Sequence, residues 1–150
     1  MPRREQFHLS PLLIVDDDEA IRGVMHELFA DAGYTISEAR NGLEALVLLR
    51  QSAEPYVVLL DDRMPELSGE EVLRMIIRDR RLRRRHTFIL MSGLSHLSRK
   101  LRLQRILQAL AVEVVAKPFD IGHMEEAVAR AQARQRSLHS FRLPLTRTSH

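Results

Sequence analysis

Residues 57–61 read Val-Val-Leu-Leu-Asp, an uninterrupted apolar run that ends on a carboxylate. Three other short apolar runs also end on a side chain that can take part in chemistry. Because a short apolar run is typical of a strand buried on both faces, these runs predict neighbouring parallel strands. The runs are Leu12–Val15 before Asp16 and Asp17, Val57–Leu60 before Asp61, Phe88–Met91 before Ser92, and Val112 with Val114–Ala116 before Lys117.

The segments between these runs carry apolar residues at helical spacing, as at Val72, Leu73 and Ile76, and residues 35–39 predict a weaker strand. Five strands that alternate with five helices indicate βαβ units and a parallel sheet covered on both faces. We therefore predict an α/β fold, a single doubly wound (flavodoxin-like) domain whose five-stranded parallel sheet has the order 2-1-3-4-5. Its helices are predicted to begin near Asp18, Asn41, Ser68, Ser95 and Asp120.

The length of 150 residues suits one domain with a hydrophobic core. We place this domain at residues 11–136, after an N-terminal extension over 1–10. Helical periodicity stops after about Arg136, so residues 137–150 are predicted to form a mobile tail. Because the chain ends soon after the last helix, we expect a stand-alone protein without an output domain.

Composition narrows the class of protein further. The chain has no cysteine, which excludes disulfides and thiolate metal sites. No apolar run approaches the roughly 20 residues of a membrane span, so we expect a cytoplasmic protein without a membrane partner. The seven histidines show no metal-ligand spacing and are predicted to be exposed or partly buried.

The net charge of +3 is unevenly distributed, because residues 78–105 hold ten basic side chains and one acidic one. Such asymmetry favours an acidic partner or nucleic acid, although a solvated surface explains it more simply. We interpret the arginines of residues 80–85 as part of a solvated loop.

The predicted strand ends bring three carboxylates, a hydroxyl and an ammonium group to one edge of the sheet, where open α/β sheets bind ligands. Carboxylate oxygens suit Mg²⁺. An aspartate can attack phosphorus to form an acyl phosphate, while a metal, an ammonium and a hydroxyl offset charge on the phosphoryl oxygens. Asp61 suits the nucleophile because its strand is central, and Asp62 is interpreted as a solvent-facing neighbour.

At these residues the chain resembles the receiver domain (CheY-like) of two-component response regulators, and the resemblance covers roughly Pro11 to Arg134. Four motifs in the right order make this likeness specific. They are the acidic pair Asp16-Asp17, the phosphoacceptor motif Asp61-Asp62-Arg63-Met64-Pro65, the Ser92-Gly93 pair after the fourth strand, and the Lys117-Pro118 pair after the fifth.

The resemblance implies phosphorelay signal transduction, in which Asp61 takes a phosphoryl group from a phosphohistidine on a sensor histidine kinase or a histidine phosphotransfer protein. It also implies that Mg²⁺ is bound by the side chains of Asp17 and Asp61 and by the backbone carbonyl of Arg63. Asp16 would act mostly through a metal-bound water. A phosphoacceptor switch of this kind assists its own phosphorylation and dephosphorylation but is not an enzyme with an external substrate.

The resemblance further implies that Ser92 and Lys117 bind the phosphoryl group. They would thereby shift the face made by the fourth predicted helix, the fifth strand and the last helix between two states. We expect output through protein binding at that face or through phosphorelay. The basic side chains of the fourth helix that we expect to carry this binding are Arg99, Lys100, Arg102 and Arg105.

The chain departs from the family pattern at three positions. Val114 stands where the family has an aromatic switch residue, three positions before the lysine. Arg63 and Leu94 stand where side chains tune the attack of water on the acyl phosphate. Because a bulky arginine and an apolar leucine would shield the acyl phosphate from water, we expect slow self-dephosphorylation. Decay of the phosphorylated form within seconds in Mg²⁺ would contradict this.

Two alternatives belong to other classes of function. The first is a Mg²⁺-dependent aspartyl-phosphate phosphatase, although Arg63 stands where such enzymes place a second aspartate. The second is a basic nucleic-acid-binding module, which the charge favours but no binding motif supports.

Overall fold

The computed structural model describes residues 8–93 and 101–140, which contain five strands and six helices. The strands are β1 (Leu12–Val15), β2 (Ile36–Ala39), β3 (Val57–Asp61), β4 (Thr87–Gly93) and β5 (Glu113–Lys117). The helices are α1 (Glu19–Asp31), α2 (Gly42–Gln51), α3 (Gly69–Arg78), α4 (Arg80–Arg85), α5 (Leu101–Ala109) and α6 (Ile121–Ser140). None of the described helices is both long and apolar enough to cross a membrane.

The sheet has the order β2-β1-β3-β4-β5, and every pair of neighbouring strands is parallel. The predicted fold is therefore confirmed. Alternate side chains of a strand point to opposite faces of the sheet. Val58 and Leu60 thus pack in the layer with α2 and α3, whereas Val57 and Leu59 pack in the layer with α1 and α6. Burial on both faces explains why the central strand is apolar at successive positions.

Side-chain caps start the helices where the sequence predicted them. Asp18 accepts hydrogen bonds from the backbone of Ala20 and Ile21, and Asn41 accepts one from Glu44. Ser68 caps α3 and the Asp120 carboxylate accepts from the backbone of Gly122. Each such cap contributes about 1 kcal/mol, and together they fix the turns that follow the strands. The predicted start of the fourth helix near Ser95 lies outside the described residues.

The interpretation of residues 80–85 as a loop is wrong, since these residues form the short helix α4 and raise the helix count to six in the described chain. The Asp79 side chain accepts from the backbone N–H groups of Arg81 and Leu82. Leu82 is buried against the layer that contains α2 and α3. A cap and one buried leucine therefore suffice for a helix whose remaining residues are all arginine.

The last helix continues to Ser140, four residues beyond the predicted boundary at Arg136. Polar side chains hold it, which is why apolar periodicity missed its length. Gln135 is buried and its amide donates to the carbonyl oxygens of Tyr56 and Arg85 at 2.9 and 3.2 Å. Gln132 bonds both the N–H and the carbonyl of Ser10, so the extension over 1–10 is joined to the domain at its end. Residues 141–150 lie outside the described part of the chain.

His86 contradicts the prediction that the histidines are exposed or partly buried, because its side chain lies in the core, 3% exposed, at the start of β4. Its Nδ1 accepts the backbone N–H of Tyr56 at 2.9 Å, so the neutral ring carries its proton on Nε2. Burial lowers the pKa of His86 to about 4, and the charges of Arg85 and His139 add to the lowering, against an opposing backbone hydrogen bond at Leu49.

We expect acid to destabilise the fold through His86. The unfolded chain binds the proton below about pH 6.5, whereas the folded chain binds it only near pH 4. The free energy of unfolding should therefore fall by roughly 3 kcal/mol from this residue as the pH drops through that interval. Urea unfolding at several pH values should show a shallower pH dependence for His86→Asn than for the exposed-site control His123→Asn. Identical pH slopes would contradict the assignment.

Candidate functional site

Three charged side chains of the predicted site converge at the carboxyl ends of β1, β3 and β5. The register pairs Val15 with Leu60, so Asp16 follows β1 directly beside Asp61. Asp16 and Asp61 are buried, whereas Asp17 is exposed. Lys117, the last residue of β5, is the third of these side chains.

The carboxylates of Asp16, Asp17 and Asp61 form an acidic cluster whose ligand oxygens lie within 4.8 Å of one another. Asp16 Oδ1 accepts the backbone N–H of Asp18 at 2.9 Å. Its Oδ2 is buried and has no hydrogen-bond partner in the described part of the chain. A buried carboxylate oxygen without a donor is suited to a hard cation, which takes oxygen ligands and also relieves repulsion between the carboxylates. The residues present therefore fit Mg²⁺.

Lys117 supplies the positive charge of the site. Its Nζ lies 2.7 Å from Asp61 Oδ1 and 3.8 Å from Asp16 Oδ2, so it hydrogen-bonds the first carboxylate and only neighbours the second. The ammonium is partly exposed and can turn toward a third group at the mouth of the site. The Lys117 ammonium therefore orients the Asp61 carboxylate through a hydrogen bond to Oδ1.

Burial dominates the protonation of both inner carboxylates. It raises the pKa of Asp61, against the hydrogen bond and charge of Lys117, with the charge of Asp17 raising it further and the backbone N–H of Arg63 lowering it. It likewise raises the pKa of Asp16, against the hydrogen bond from Asp18. Keeping both carboxylates ionised in the folded protein therefore costs free energy, which a bound cation offsets.

Ser92 lies on the other face of the sheet from Asp61. Strand alternation places Asp16, Asp61 and Lys117 with the α1 and α6 layer, but Ser92 and Asp62 with the α2 and α3 layer. The Ser92 hydroxyl accordingly donates to Asp62 Oδ2 at 3.1 Å. Asp62 is half-buried and its Oδ1 also accepts the backbone N–H of Glu70 at 3.3 Å, so this side chain faces solvent only in part.

Gly69 is a residue of the site that the sequence analysis missed. A Cβ built there would lie 2.5 Å from the backbone oxygen of Asp61 and 2.9 Å from Cα of Asp62. The absence of a side chain lets the first turn of α3 contact the end of β3. There the backbone N–H of Gly69 donates to the Asp62 carbonyl at 2.9 Å. The glycine directly after the helix cap Ser68 was the available signal.

A cavity of about 430 Å³ opens beside the acidic cluster. Asp17, Asp62 and Arg63 line it together with residues of the loop before α3. Arg63 is exposed and Val114 is half-buried against the layer with α2 and α3. Of the remaining predicted positions, Arg102 and Arg105 are exposed on α5, whereas Leu94, Arg99 and Lys100 lie outside the described residues.

Known proteins are similar to this chain in sequence and in fold. The family model described as the response regulator receiver domain matches residues 12–129. Sporulation initiation phosphotransferase F of Bacillus subtilis is 36% identical over 120 residues, which cover 79% of this chain and 90% of that protein. The transcriptional regulator NtrC of Escherichia coli is 36% identical over 121 residues, which cover 79% of this chain but only 24% of NtrC.

A solved structure shows the same architecture. The response regulator TrrA of Thermotoga maritima, determined in complex with Mg²⁺ and BeF, is 31% identical, with a TM-score of 0.67. The match covers 82% of this chain and 99% of TrrA. The family model spans most of the chain, and the sheet order and strand-end carboxylates agree with it. This chain therefore belongs to the response regulator receiver domains of two-component signalling.

Proposed function

We propose that this chain is a stand-alone receiver that accepts a phosphoryl group from a phosphohistidine onto Asp61, with Mg²⁺ as the cofactor. The observation that carries the proposal is the cluster of Asp16, Asp17 and Asp61, with the Lys117 ammonium 2.7 Å from Asp61. The cluster supplies a nucleophile, oxygen ligands for a cation and a positive charge within one small volume. These are the groups that phosphoryl transfer to a carboxylate requires.

In the transfer, a carboxylate oxygen of Asp61 attacks phosphorus, the bond from phosphorus to the imidazole nitrogen breaks, and the departing imidazole takes up a proton. Lys117 and the backbone N–H of Arg63 favour the anionic form of Asp61 that the attack needs. Asp16, Asp17, Asp61 and the backbone carbonyl of Arg63 would hold Mg²⁺. The ion would offset negative charge on the phosphoryl oxygens.

A protein donor fits the surface beside the site. An apolar groove of about 690 Å³ runs from α1 to the turn after β5 and includes Lys117 at its edge. Val24, which lines the groove, is 62% exposed. Such a groove beside the acidic cluster suits a helical surface of a histidine kinase or phosphotransfer protein that presents its phosphohistidine to Asp61.

The comparison with sporulation initiation phosphotransferase F supports the stand-alone role, because the match covers 90% of that protein. The name of that relative also favours onward phosphorelay. We propose that an output protein binds the surface of α5, β5 and α6, where Arg102 and Arg105 are exposed. Phosphorylation of Asp61 would reach this surface through Lys117, the last residue of β5.

Intact-mass measurement after incubation with phosphoramidate tests the proposal, since that donor also carries a phosphorus–nitrogen bond. We expect the protein to gain one phosphate when Mg²⁺ is present and none when EDTA removes it. No mass gain from phosphoramidate or from acetyl phosphate in Mg²⁺ would overturn the proposal.

The Ser92 hydroxyl must break its hydrogen bond to Asp62 before Ser92 can bind a phosphoryl group on Asp61. A hydrogen bond to a charged acceptor is worth about 1.5–3 kcal/mol when buried and less at this half-exposed position. We therefore expect Asp62→Ala to raise the rate of phosphorylation several-fold in the phosphoramidate assay. Asp62→Asn is the matched control, because it removes the charge but keeps an acceptor oxygen. Equal acceleration by both variants would show that charge, rather than the hydrogen bond, restrains the reaction.

A further inference from the structure

A second pocket lies at the opposite edge of the sheet from Asp61. It occupies about 660 Å³ between helix α4, the turn before β3 and the end of α6. The turn contributes Ala53 and Pro55, and α6 contributes His139. β3 begins just after this turn and ends at Asp61, so roughly 15 Å of strand separates the pocket from the acidic cluster. We name it the arginine pocket, after its lining residues Arg80, Arg81, Arg84 and Arg85.

The four arginines share one side of α4. At 100° per residue they span an arc of about 140°, while Leu82 turns into the core and Arg83 lies outside the arc. In the described part of the chain no carboxylate lies within salt-bridge distance of Arg80, Arg81 or Arg84. The nearby Asp79 carboxylate is already bonded to two backbone N–H groups of α4. The pocket thus concentrates positive charge, and in the described residues none of these three guanidinium groups is in an ion pair.

Two further groups distinguish the pocket from a flat basic surface. Arg85 Nη2 donates to the carbonyl oxygen of Ala53, which fixes one guanidinium against the turn. His139 also lines the pocket, and its Nε2 is buried and has no hydrogen-bond partner in the described residues. A buried ring nitrogen without a partner is unfavourable unless a ligand or water bonds it.

We propose that the arginine pocket binds a small organic ligand that carries two or more phosphate groups, such as a nucleoside diphosphate. Planar guanidinium groups match phosphate oxygens in pairs, and four of them suit more than one phosphate. The volume lies in the range of small-molecule sites. Ala53 and Pro55 provide an apolar wall for the organic part of the ligand.

A small ligand fits the pocket better than a nucleic-acid strand does. Single strands bind along grooves in which aromatic side chains stack on successive bases. The lining of the arginine pocket contains no aromatic ring other than the imidazole of His139. Its basic residues are also confined to one six-residue helix rather than spread along a face.

Calorimetric titration with ADP, and separately with pyrophosphate, tests this inference on the full chain. EDTA is included so that the acidic cluster cannot contribute a metal-bridged site. The test variant is the double substitution Arg80→Gln and Arg84→Gln. The control is Arg78→Gln with Arg83→Gln, which removes the same charge from two exposed positions that do not line the pocket.

We expect ADP to bind the unaltered protein, at least about tenfold weaker binding in the pocket variant, and a change within about twofold in the control. Weaker binding of pyrophosphate than of ADP would show that the organic part contributes. No binding of ADP at millimolar concentration, or equal loss in both variants, would overturn the proposal. The proposal would also be overturned if a short DNA duplex bound more tightly than ADP and if the test and control variants weakened that binding equally. Retention of the phosphoramidate mass gain in both variants would show that they remain folded.

Discussion

Asp61→Asn is expected to abolish the phosphate mass gain from phosphoramidate. The amide has the shape of the carboxylate but lacks the negative oxygen that attacks phosphorus. It also removes the negative charge that pairs with the Lys117 ammonium, whose Nζ is 2.7 Å from Asp61 Oδ1. Because burial raises the pKa of Asp61, the folded state disfavours its anion, and the neutral variant should be at least as stable as the unaltered protein without Mg²⁺.

Asp62→Asn is the matched control for this loss, since Asp62 is the next residue and is half-buried. It should retain the full mass gain. Loss of the phosphate in Asp62→Asn together with its retention in Asp61→Asn would move the phosphoacceptor to the neighbouring residue. Urea unfolding of both variants separates a chemical loss from a failure to fold.

Gly69→Ala is expected to destabilise the domain by about 3 kcal/mol. Its Cβ would lie 2.5 Å from the backbone oxygen of Asp61 and 3.0 Å from a methyl group of Leu90. Backbone atoms cannot rotate away from such a contact, so the first turn of α3 must move from β3. That movement would lengthen the hydrogen bonds that Asp62 accepts from Gly69 and Glu70. We therefore expect slower phosphorylation as well as a lower urea midpoint.

Gly23→Ala provides the contrast, because no heavy atom lies within 4 Å of a Cβ built at that position in α1. Alanine has the higher helix propensity, so this variant should gain about 0.5–1 kcal/mol. A Gly69→Ala protein as stable as Gly23→Ala would contradict the close packing of α3 on the end of β3.

The fold could be predicted from the sequence because local signals agreed with the overall architecture. The apolar strands are buried on both faces, and caps such as Asn41 and Ser68 stand where the helices begin. Apolar periodicity failed where polar contacts hold the structure. Helix α4 depends on the Asp79 cap, and the end of α6 depends on hydrogen bonds of Gln135.

The site was predictable in part for the same reason. Parallel strands bring their carboxyl ends to one edge, so Asp16, Asp61 and Lys117 had to lie close together. The hydrogen bond from Ser92 to Asp62 was not predicted. It arises because strand alternation places both side chains on the same face of the sheet, which depends on register rather than on residue type. Gly69 was missed because its role depends on a long-range contact with Asp61.

The most direct test of the central claim is to locate the phosphoryl group in the unaltered protein. Borohydride reduces an acyl phosphate on aspartate to homoserine, which peptide mass spectrometry can assign to a position. After phosphorylation by phosphoramidate in Mg²⁺, we predict homoserine at position 61 and at no other aspartate. Homoserine at Asp62 or at another aspartate, or a phosphate that resists borohydride, would contradict the account.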